Sequence, residues 1–212
     1  MIAQALRGGS SMYPDKDVIH QFLSLLTEPW KECSSKGQLE LRFLANGKSA
    51  SIARFEDNQL MDATDHIVKM NVNNLNAYVC INPVVEIPLK AGKGATDEDI
   101  LRAHFAFADC DEPGSAERLK SSAPPHDFSV VTGTQPRLRC HYYWQFVDPV
   151  HDLLDWTKTQ KAIAKVHATD GKVCNPSRVM RVAGTIAYPS VQKQEKGYVP
   201  ELTQLVGLKS CQ

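Results

Sequence analysis

Two aspartates one residue apart, Asp109 and Asp111, end an apolar run at residues 105–111. The alternation of aromatic and small residues predicts a β-strand, in which every second side chain shares a face. Both carboxylates then point the same way, with Cβ atoms about 6 to 7 Å apart. Two unpaired charges at the end of a buried strand are costly, so we expect a compensating cation, either Lys or Arg or a divalent metal ion. The alternative is a solvated strand end that leads into the turn at residues 112–115.

A histidine in another apolar segment is the next candidate for chemistry. Residues 139–149 predict a strand in which the even-numbered positions from 140 to 146 form an apolar face. His141 lies on the opposite, more polar face, together with Tyr143 and Gln145. An imidazole at this position can be structural, or it can donate to a phosphate or orient a ligand. The sequence leaves both interpretations open.

A basic segment near the C-terminus combines arginines with signals for the start of a helix. Asn175 suits an N-cap and Pro176 a first helical residue, which predicts one or two helical turns over residues 176–181. Arg178 and Arg181 would then stand three apart on one side, where their planar guanidinium groups suit phosphate oxygens. A phosphate-facing wall of this kind would also include Asp170, Thr185 and Lys193. The alternative is a solvated basic turn.

The elements that position these side chains can be predicted from periodicity and turn signals. An amphipathic helix begins at residue 15 or 17 and is ended by Pro29. Residues 38–55 predict a β-hairpin, because Asn46 and Gly47 suit the central positions of a type I′ turn. The other elements expected in this half are a helix through residues 61–70, a strand at 77–84 stopped by Pro83, and a flexible loop at 89–95 that carries Lys90 and Lys93.

The second half of the chain interleaves helices and strands irregularly, which agrees with an α+β fold. Thr96 and Asp99 have the spacing of a capping box that opens a short helix at residues 96–104. Strands are expected at 105–110, 124–134 and 139–149, a short helix at 115–120 and a long helix at 152–168. The long helix would end near Asp170 and bury a stripe made of Leu153, Trp156, Ile163 and Val166. Residues 1–14 are expected to be a flexible segment, and residues 15–212 to form one domain.

Composition excludes some classes of protein and leaves the partner open. The chain has 212 residues, 24 basic and 24 acidic side chains and a formal net charge of zero, so bulk charge does not argue for a nucleic-acid partner. It has neither an 18-residue apolar run nor an N-terminal signal, which predicts a soluble cytoplasmic protein without a membrane partner. The six cysteines are scattered without the spacing of a zinc site, and no GxxxxGK[ST] phosphate loop is present.

Taken in order, "FADCD", "CHYYW", "TD" and "NPSRVMRVAGT" resemble the archaeo-eukaryotic primase superfamily, in particular the primase-polymerase domains of plasmid and phage replication proteins. The resemblance spans residues 76–198, and its most specific part is the arginine-containing segment 175–186. The chain differs from the usual family pattern at Ala183 and Ala187 and in the loop before His141.

This resemblance implies a fold, an activity and a set of site residues. The fold would be an N-terminal αβ unit packed on a module similar to an RNA-recognition fold, roughly residues 76–200, with the active site in the cleft between sheets. Asp109, Asp111 and Asp170 would hold two Mg²⁺ or Mn²⁺ ions about 3.5 to 4 Å apart. The phosphates of an incoming NTP or dNTP would be held by His141, Arg178, Arg181 and Lys193. Single-stranded DNA would be the template, and any helicase would be supplied elsewhere.

Other classes of protein share part of this pattern. A nucleotide-sugar glycosyltransferase also uses two aspartates at a strand end, but that activity does not explain the presence of the arginine-containing segment 175–181. A rolling-circle nicking enzyme needs a His-x-His pair, which the chain lacks. A nucleic-acid-binding module that has lost catalysis, or another metal-dependent nucleotidyl transferase, stays open as an alternative.

Overall fold

Two four-stranded antiparallel sheets form the framework of the chain. The computed structural model describes residues 12–31, 33, 37–45, 47–86 and 93–207. With strands numbered in chain order, the first sheet has the order β2 (Lys48–Glu56), β1 (Gln38–Ala45), β3 (Asn76–Cys80) and β7 (Val179–Arg181). Since β7 comes from the far end of the sequence, this sheet is assembled from both halves of the chain.

The second sheet carries the strand of the two aspartates. Its order is β10 (Gln204–Val206), β5 (Phe128–Gly133), β6 (Arg139–Val150) and β4 (Ala103–Cys110). A short ribbon pairs β8 (Ile186–Ala187) with β9 (Glu201–Leu202). The expected strands at residues 105–110, 124–134 and 139–149 are confirmed by β4, β5 and β6.

Five α-helices accompany the sheets within the described residues. They are α1 (Lys16–Thr27), α2 (Leu60–Val72), α3 (Ser115–Ser122), α4 (Leu153–His167) and α5 (Val191–Gln194). The carboxylate of Asp15 caps α1 by accepting from the amides of Asp17 and Val18 at 3.1 and 3.0 Å. A 3-10 turn with Pro29 follows α1, so the predicted end of this helix is confirmed. None of the helices in the described part is long and apolar enough to cross a lipid bilayer.

One continuous core joins the two sheets through α1. The buried side of α1 consists of Ile19, Phe22, Leu23 and Leu26. The ring of Phe22 meets Phe128 of β5 and Tyr143 of β6 edge-on, with centroids 6.2 Å apart in each case. The same core contains Leu39, Leu41 and Phe43 of β1. Burial of these side chains fixes the second sheet relative to the first. The mixed α+β class is confirmed, whereas the predicted division at residues 14 and 76 stays a prediction.

The hairpin prediction is confirmed by the pairing of β1 with β2, since Ala45 is the register partner of Lys48. Gly47 has a φ of +78°, as a type I′ turn requires, and Asn46 lies outside the described residues. Most of the loop predicted at residues 89–95, including Lys90, and most of the predicted flexible N-terminal segment also lie outside them.

Two helix predictions need correction. The helix predicted at residues 96–104 is a single 3-10 turn, Asp97–Asp99, and β4 already begins at Ala103. The predicted capping box of Thr96 and Asp99 is present. In α4 the buried line is Trp156, Gln160 and Ala164, whereas Val166 is 74% exposed. At 100° per residue, Val166 lies about 200° around the helix from Ala164, and therefore points away from the sheet.

Candidate functional site

Asp109 and His141 are directly opposite each other in the pairing of β4 with β6. Because alternate side chains share a face, both project into the same cleft, and His141 Nε2 lies 3.7 Å from Asp109 Oδ1. Asp111 follows the last residue of β4 and lines the same cleft. The expected common direction of the two aspartates is therefore present in the structure.

Burial and charge shift the pKa values of this pair strongly. Burial, together with the nearby charges of Asp111 and Asp170, raises the pKa of Asp109 to about 7, although Lys193 and Arg181 partly oppose the shift. Burial and the charge of Arg181 lower the pKa of His141 to about 3. The imidazole is therefore neutral at pH 7, and its contact with Asp109 is not an ion pair. The raised pKa shows that the surroundings of Asp109 disfavour a negative charge on its carboxyl group.

Asp170 lies beside the end of β4, as its predicted role requires. Its amide donates to the backbone carbonyl of Asp109 at 3.1 Å, although its own carboxylate accepts from the amide of Lys172 at 2.9 Å. Across the described ranges, no three His, Cys, Asp or Glu side chains are arranged closely enough to hold a metal ion. A three-carboxylate metal centre thus stays a prediction.

The cleft has a volume of about 150 Å³ and is lined by three cationic side chains and two carboxylates. The cations are Arg139, Arg181 and Lys193. Lys193 Nζ lies 3.8 Å from Asp111 Oδ2, and Arg139 Nε lies 3.9 Å from Asp111 Oδ1. Positive groups therefore surround the aspartates, as expected for the binding of a polyanion next to them.

Arg181 is held in the cleft by the strand next to it. The pairing of β3 with β7 places it opposite Tyr78. Its guanidinium donates to Asn76 Oδ1 at 2.5 Å and to the Tyr78 hydroxyl at 2.7 Å, and it lies 4.8 Å from the centre of the Tyr78 ring. These contacts fix the orientation of the guanidinium before any ligand arrives.

The predicted helix over residues 176–181 is wrong, because this segment is a turn followed by β7. Asn175 is not an N-cap; its side-chain amide donates to Asp97 Oδ1 at 3.0 Å. The same oxygen accepts from the amide and hydroxyl of Ser177 at 2.9 and 2.6 Å. This long-range contact holds the turn, and residues 179–181 then pair with β3.

The strand conformation separates the two arginines that were expected to act together. Arg178 donates to the backbone carbonyl of Lys172 and does not line the cleft. Thr185, expected in the same wall, is fully buried and donates to the carbonyl of Val182 at 2.7 Å. Of the expected phosphate ligands, His141, Arg181 and Lys193 share the cleft.

Sequence reasoning missed Arg139 and Tyr198, which both line the cleft. Arg139 could have been found, because it lies two positions before His141 and a strand places such residues on one face. Tyr198 comes from the segment between α5 and β9, and no local pattern links it to the aspartates.

No protein-family model matches the sequence, and no curated protein sequence matches it significantly. Solved structures do match. The AEP domain of the cyanophage S-2L primase-polymerase (PrimPol) superposes with a TM-score of 0.62 at 20% identity, over 93% of this chain and 92% of that one. The primase RepB′ matches with a TM-score of 0.57 at 10% identity, over 90% of this chain and 56% of that one.

The catalytic domain of primase RepB′ in complex with initiator DNA matches with a TM-score of 0.56 at 13% identity, over 91% of this chain and 86% of that one. Identities this low carry the fold but not the activity. The protein thus has the fold of an archaeo-eukaryotic primase catalytic domain.

Proposed function

We propose that the protein is a DNA primase or primase-polymerase, which makes or extends primers in plasmid or phage replication by template-directed nucleotidyl transfer. One observation carries the proposal: two adjacent carboxylates, Asp109 and Asp111, share a cleft with Arg181 and Lys193 in a fold that primase catalytic domains also have. Phosphoryl transfer depends on positioning and on charge stabilisation, and this cleft offers both.

The donor set fits divalent ions of the Mg²⁺ or Mn²⁺ type, because carboxylate oxygens are their preferred protein ligands. Asp109, Asp111 and Asp170 would hold two ions. Burial and the nearby acidic groups raise the pKa of Asp109, and such ions would relieve the repulsion among these groups. When bound, the ions supply positive charge for activating a primer 3′-hydroxyl and for stabilising the leaving pyrophosphate.

Arg181 and Lys193 are the proposed cationic contacts for the phosphates of an NTP or dNTP. The neutral imidazole of His141 offers one N–H for a hydrogen bond to a phosphate oxygen. Arg178 is proposed to support the turn at residues 172–178 instead, because it bonds to the Lys172 carbonyl.

The proposed template is single-stranded DNA, with a helicase as a separate partner and the cytoplasm as the location. One similar structure is a primase catalytic domain in complex with initiator DNA. Affinity of this chain for DNA would fall with added salt, since phosphate contacts release counterions.

The test is a primer-synthesis assay with single-stranded DNA, labelled nucleotides and Mg²⁺ or Mn²⁺. We expect product from the parent protein and at least a 100-fold loss in Asp109→Asn/Asp111→Asn. A matched control, Asp148→Asn/Asp155→Asn, replaces two exposed carboxylates and should keep full activity. Equal product from the parent and the cleft variant would make the aspartates structural.

Absence of product from the parent protein, with DNA binding intact, would instead support the non-catalytic binding module. Transfer from a nucleotide sugar without a template would support the glycosyltransferase. Either result overturns the proposal.

A further inference from the structure

Three cationic side chains surround the ring of Tyr198 at the rim of the cleft. The centre of the ring lies 4.5 Å from Arg139 Cζ, 5.2 Å from Lys193 Nζ and 5.7 Å from Arg137 Cζ. Tyr198 itself is only 8% exposed, so its position is fixed by packing. An aromatic ring attracts cations within about 6 Å, and a single ring here holds three that would otherwise repel one another.

Glu201 holds one of these cations from the other side. Its Oε2 accepts from the Arg139 guanidinium at 2.9 Å, and its Oε1 accepts from the amide and hydroxyl of Thr134 at 2.6 and 2.7 Å. Gly133 makes room for this pair, because a Cβ there would lie 1.7 Å from Arg139 Nη2 and 2.4 Å from Glu201 Oε2. The Arg139–Glu201 pair therefore lies directly against the backbone of β5.

The cations so fixed point towards the aspartates without binding them closely. Arg139 and Lys193 lie 3.9 and 3.8 Å from the two carboxylate oxygens of Asp111, beyond hydrogen-bond length. Long basic side chains normally lose considerable rotamer freedom when they bind an anion. Here the ring and the Glu201 carboxylate have already restricted that freedom, which lowers the cost of binding.

We propose that Tyr198 and Glu201 are positioning residues that fix Arg139 and Lys193 as a preformed site for the polyphosphate of a nucleoside triphosphate. Arg139 thereby becomes a further phosphate contact. The inference rests on the proposed function only in naming a nucleotide as the ligand. The existence of a polyphosphate site that is formed before the ligand binds does not depend on that function.

The direct test is calorimetric binding of inorganic tripolyphosphate in the presence of EDTA, so that no metal ion contributes. Tyr198→Leu keeps an apolar side chain but removes the ring, and we expect affinity to fall roughly tenfold. Tyr198→Phe keeps the ring and should restore binding to within about twofold. The matched control is Tyr13→Leu, because Tyr13 is 63% exposed and does not line the cleft.

A second variant keeps the test decisive if Tyr198→Leu fails to fold. Glu201→Gln removes the charge that holds Arg139 and should weaken tripolyphosphate binding severalfold. Tripolyphosphate affinity equal to the parent value in a folded Tyr198→Leu or Glu201→Gln protein overturns the inference.

Primer-extension kinetics separate this inference from the proposed function. If the protein is a polymerase, Tyr198→Leu should raise KM for the nucleotide roughly tenfold and leave kcat within about threefold, whereas a general structural defect would lower both the active fraction and kcat. If the parent protein makes no product yet binds tripolyphosphate in a Tyr198-dependent way, the proposed function fails and the inference stands. If the parent protein is active and Tyr198→Leu has an unchanged KM, the inference fails and the function stands.

Discussion

Arg181 and Tyr78 are cross-strand partners at the edge of the first sheet, and the guanidinium of Arg181 both stacks on the Tyr78 ring and donates to its hydroxyl. Arg178, three residues earlier, bonds to a backbone carbonyl outside the cleft. The two arginines therefore have separate tasks, although their spacing in the sequence suggests a pair.

This separation predicts that alanine substitution of the two arginines changes different properties of the protein. Arg181→Ala should raise KM for the nucleotide at least tenfold, because it removes a charge-assisted contact from the cleft. Arg178→Ala should leave KM within about twofold and lower the free energy of unfolding by about 1 kcal/mol. Steady-state primer extension and urea unfolding measure the two effects. An equal rise in KM for both variants would restore the predicted arginine pair.

His141→Ala should raise KM for the nucleotide roughly tenfold at pH 7.5, because one neutral hydrogen bond donor is lost. The low pKa of His141 means that the imidazole stays neutral well below pH 7, so the KM ratio of variant to parent should be constant between pH 6 and 8. His167→Ala, on α4, is the control. A ratio that changes with pH across this interval would show that the charged imidazole binds the phosphate.

Asp109→Asn should stabilise the metal-free protein while it abolishes activity. Since burial and two neighbouring acids raise its pKa from 3.8 to about 7, the ionised Asp109 destabilises the folded state above pH 7. We expect a gain of about 1 to 2 kcal/mol at pH 8 in EDTA, reduced from the full shift by partial exposure, and a smaller gain as the pH falls towards 3.8.

Addition of Mn²⁺ should stabilise the parent protein more than Asp109→Asn, because ligand binding to the folded state raises its stability. Thermal unfolding with and without the ion measures both effects. A parent protein and variant of identical stability in EDTA would show that the acidic cluster is not under electrostatic strain.

Asp97 should contribute stability in a pH-dependent way. Burial alone would raise its pKa, but the hydrogen bonds from Ser177 and Asn175 and the charge of Arg178 lower it below 3.8. A lowered folded-state pKa means that this contribution is present above about pH 4 and is lost as the pH falls through the folded-state value. Asp97→Asn should cost about 1 kcal/mol at pH 7 and clearly less at pH 3, measured by urea unfolding beside Asp155→Asn. A cost that is the same at both pH values would contradict this account.

Local patterns predicted those parts of the site that lie within single strands. Alternation along β4 and β6 was enough to place Asp109, Asp111 and His141 on one side of their strands. The segment after Asn175 could not be predicted in this way, because an Asn-Pro-Ser sequence suits both a helix start and a turn. The contact with Asp97, which lies 80 residues from Ser177 in sequence, stabilises the turn instead of a helix.

The contacts of Arg139 show the same limit. Its partner Glu201 lies 62 residues away, and only the meeting of β5, β6 and β9 brings the two together. Period-two spacing could have placed Arg139 beside His141 but not the groups that fix its orientation. Long-range packing decides which basic residues face the cleft.

The register of β4 against β6 limits which insertions and deletions this sequence can accept during evolution. Asp109 pairs with His141 and, one step further, Cys110 pairs with Cys140 on the opposite face. Inserting or deleting a single residue within β4 would move Asp109 from the cleft to the buried face of the two thiols, and the same change within β6 would do so for His141. Homologous sequences can therefore vary in length only in loops that carry no cleft residue, whereas β4 and β6 tolerate substitutions but not a shift by one residue.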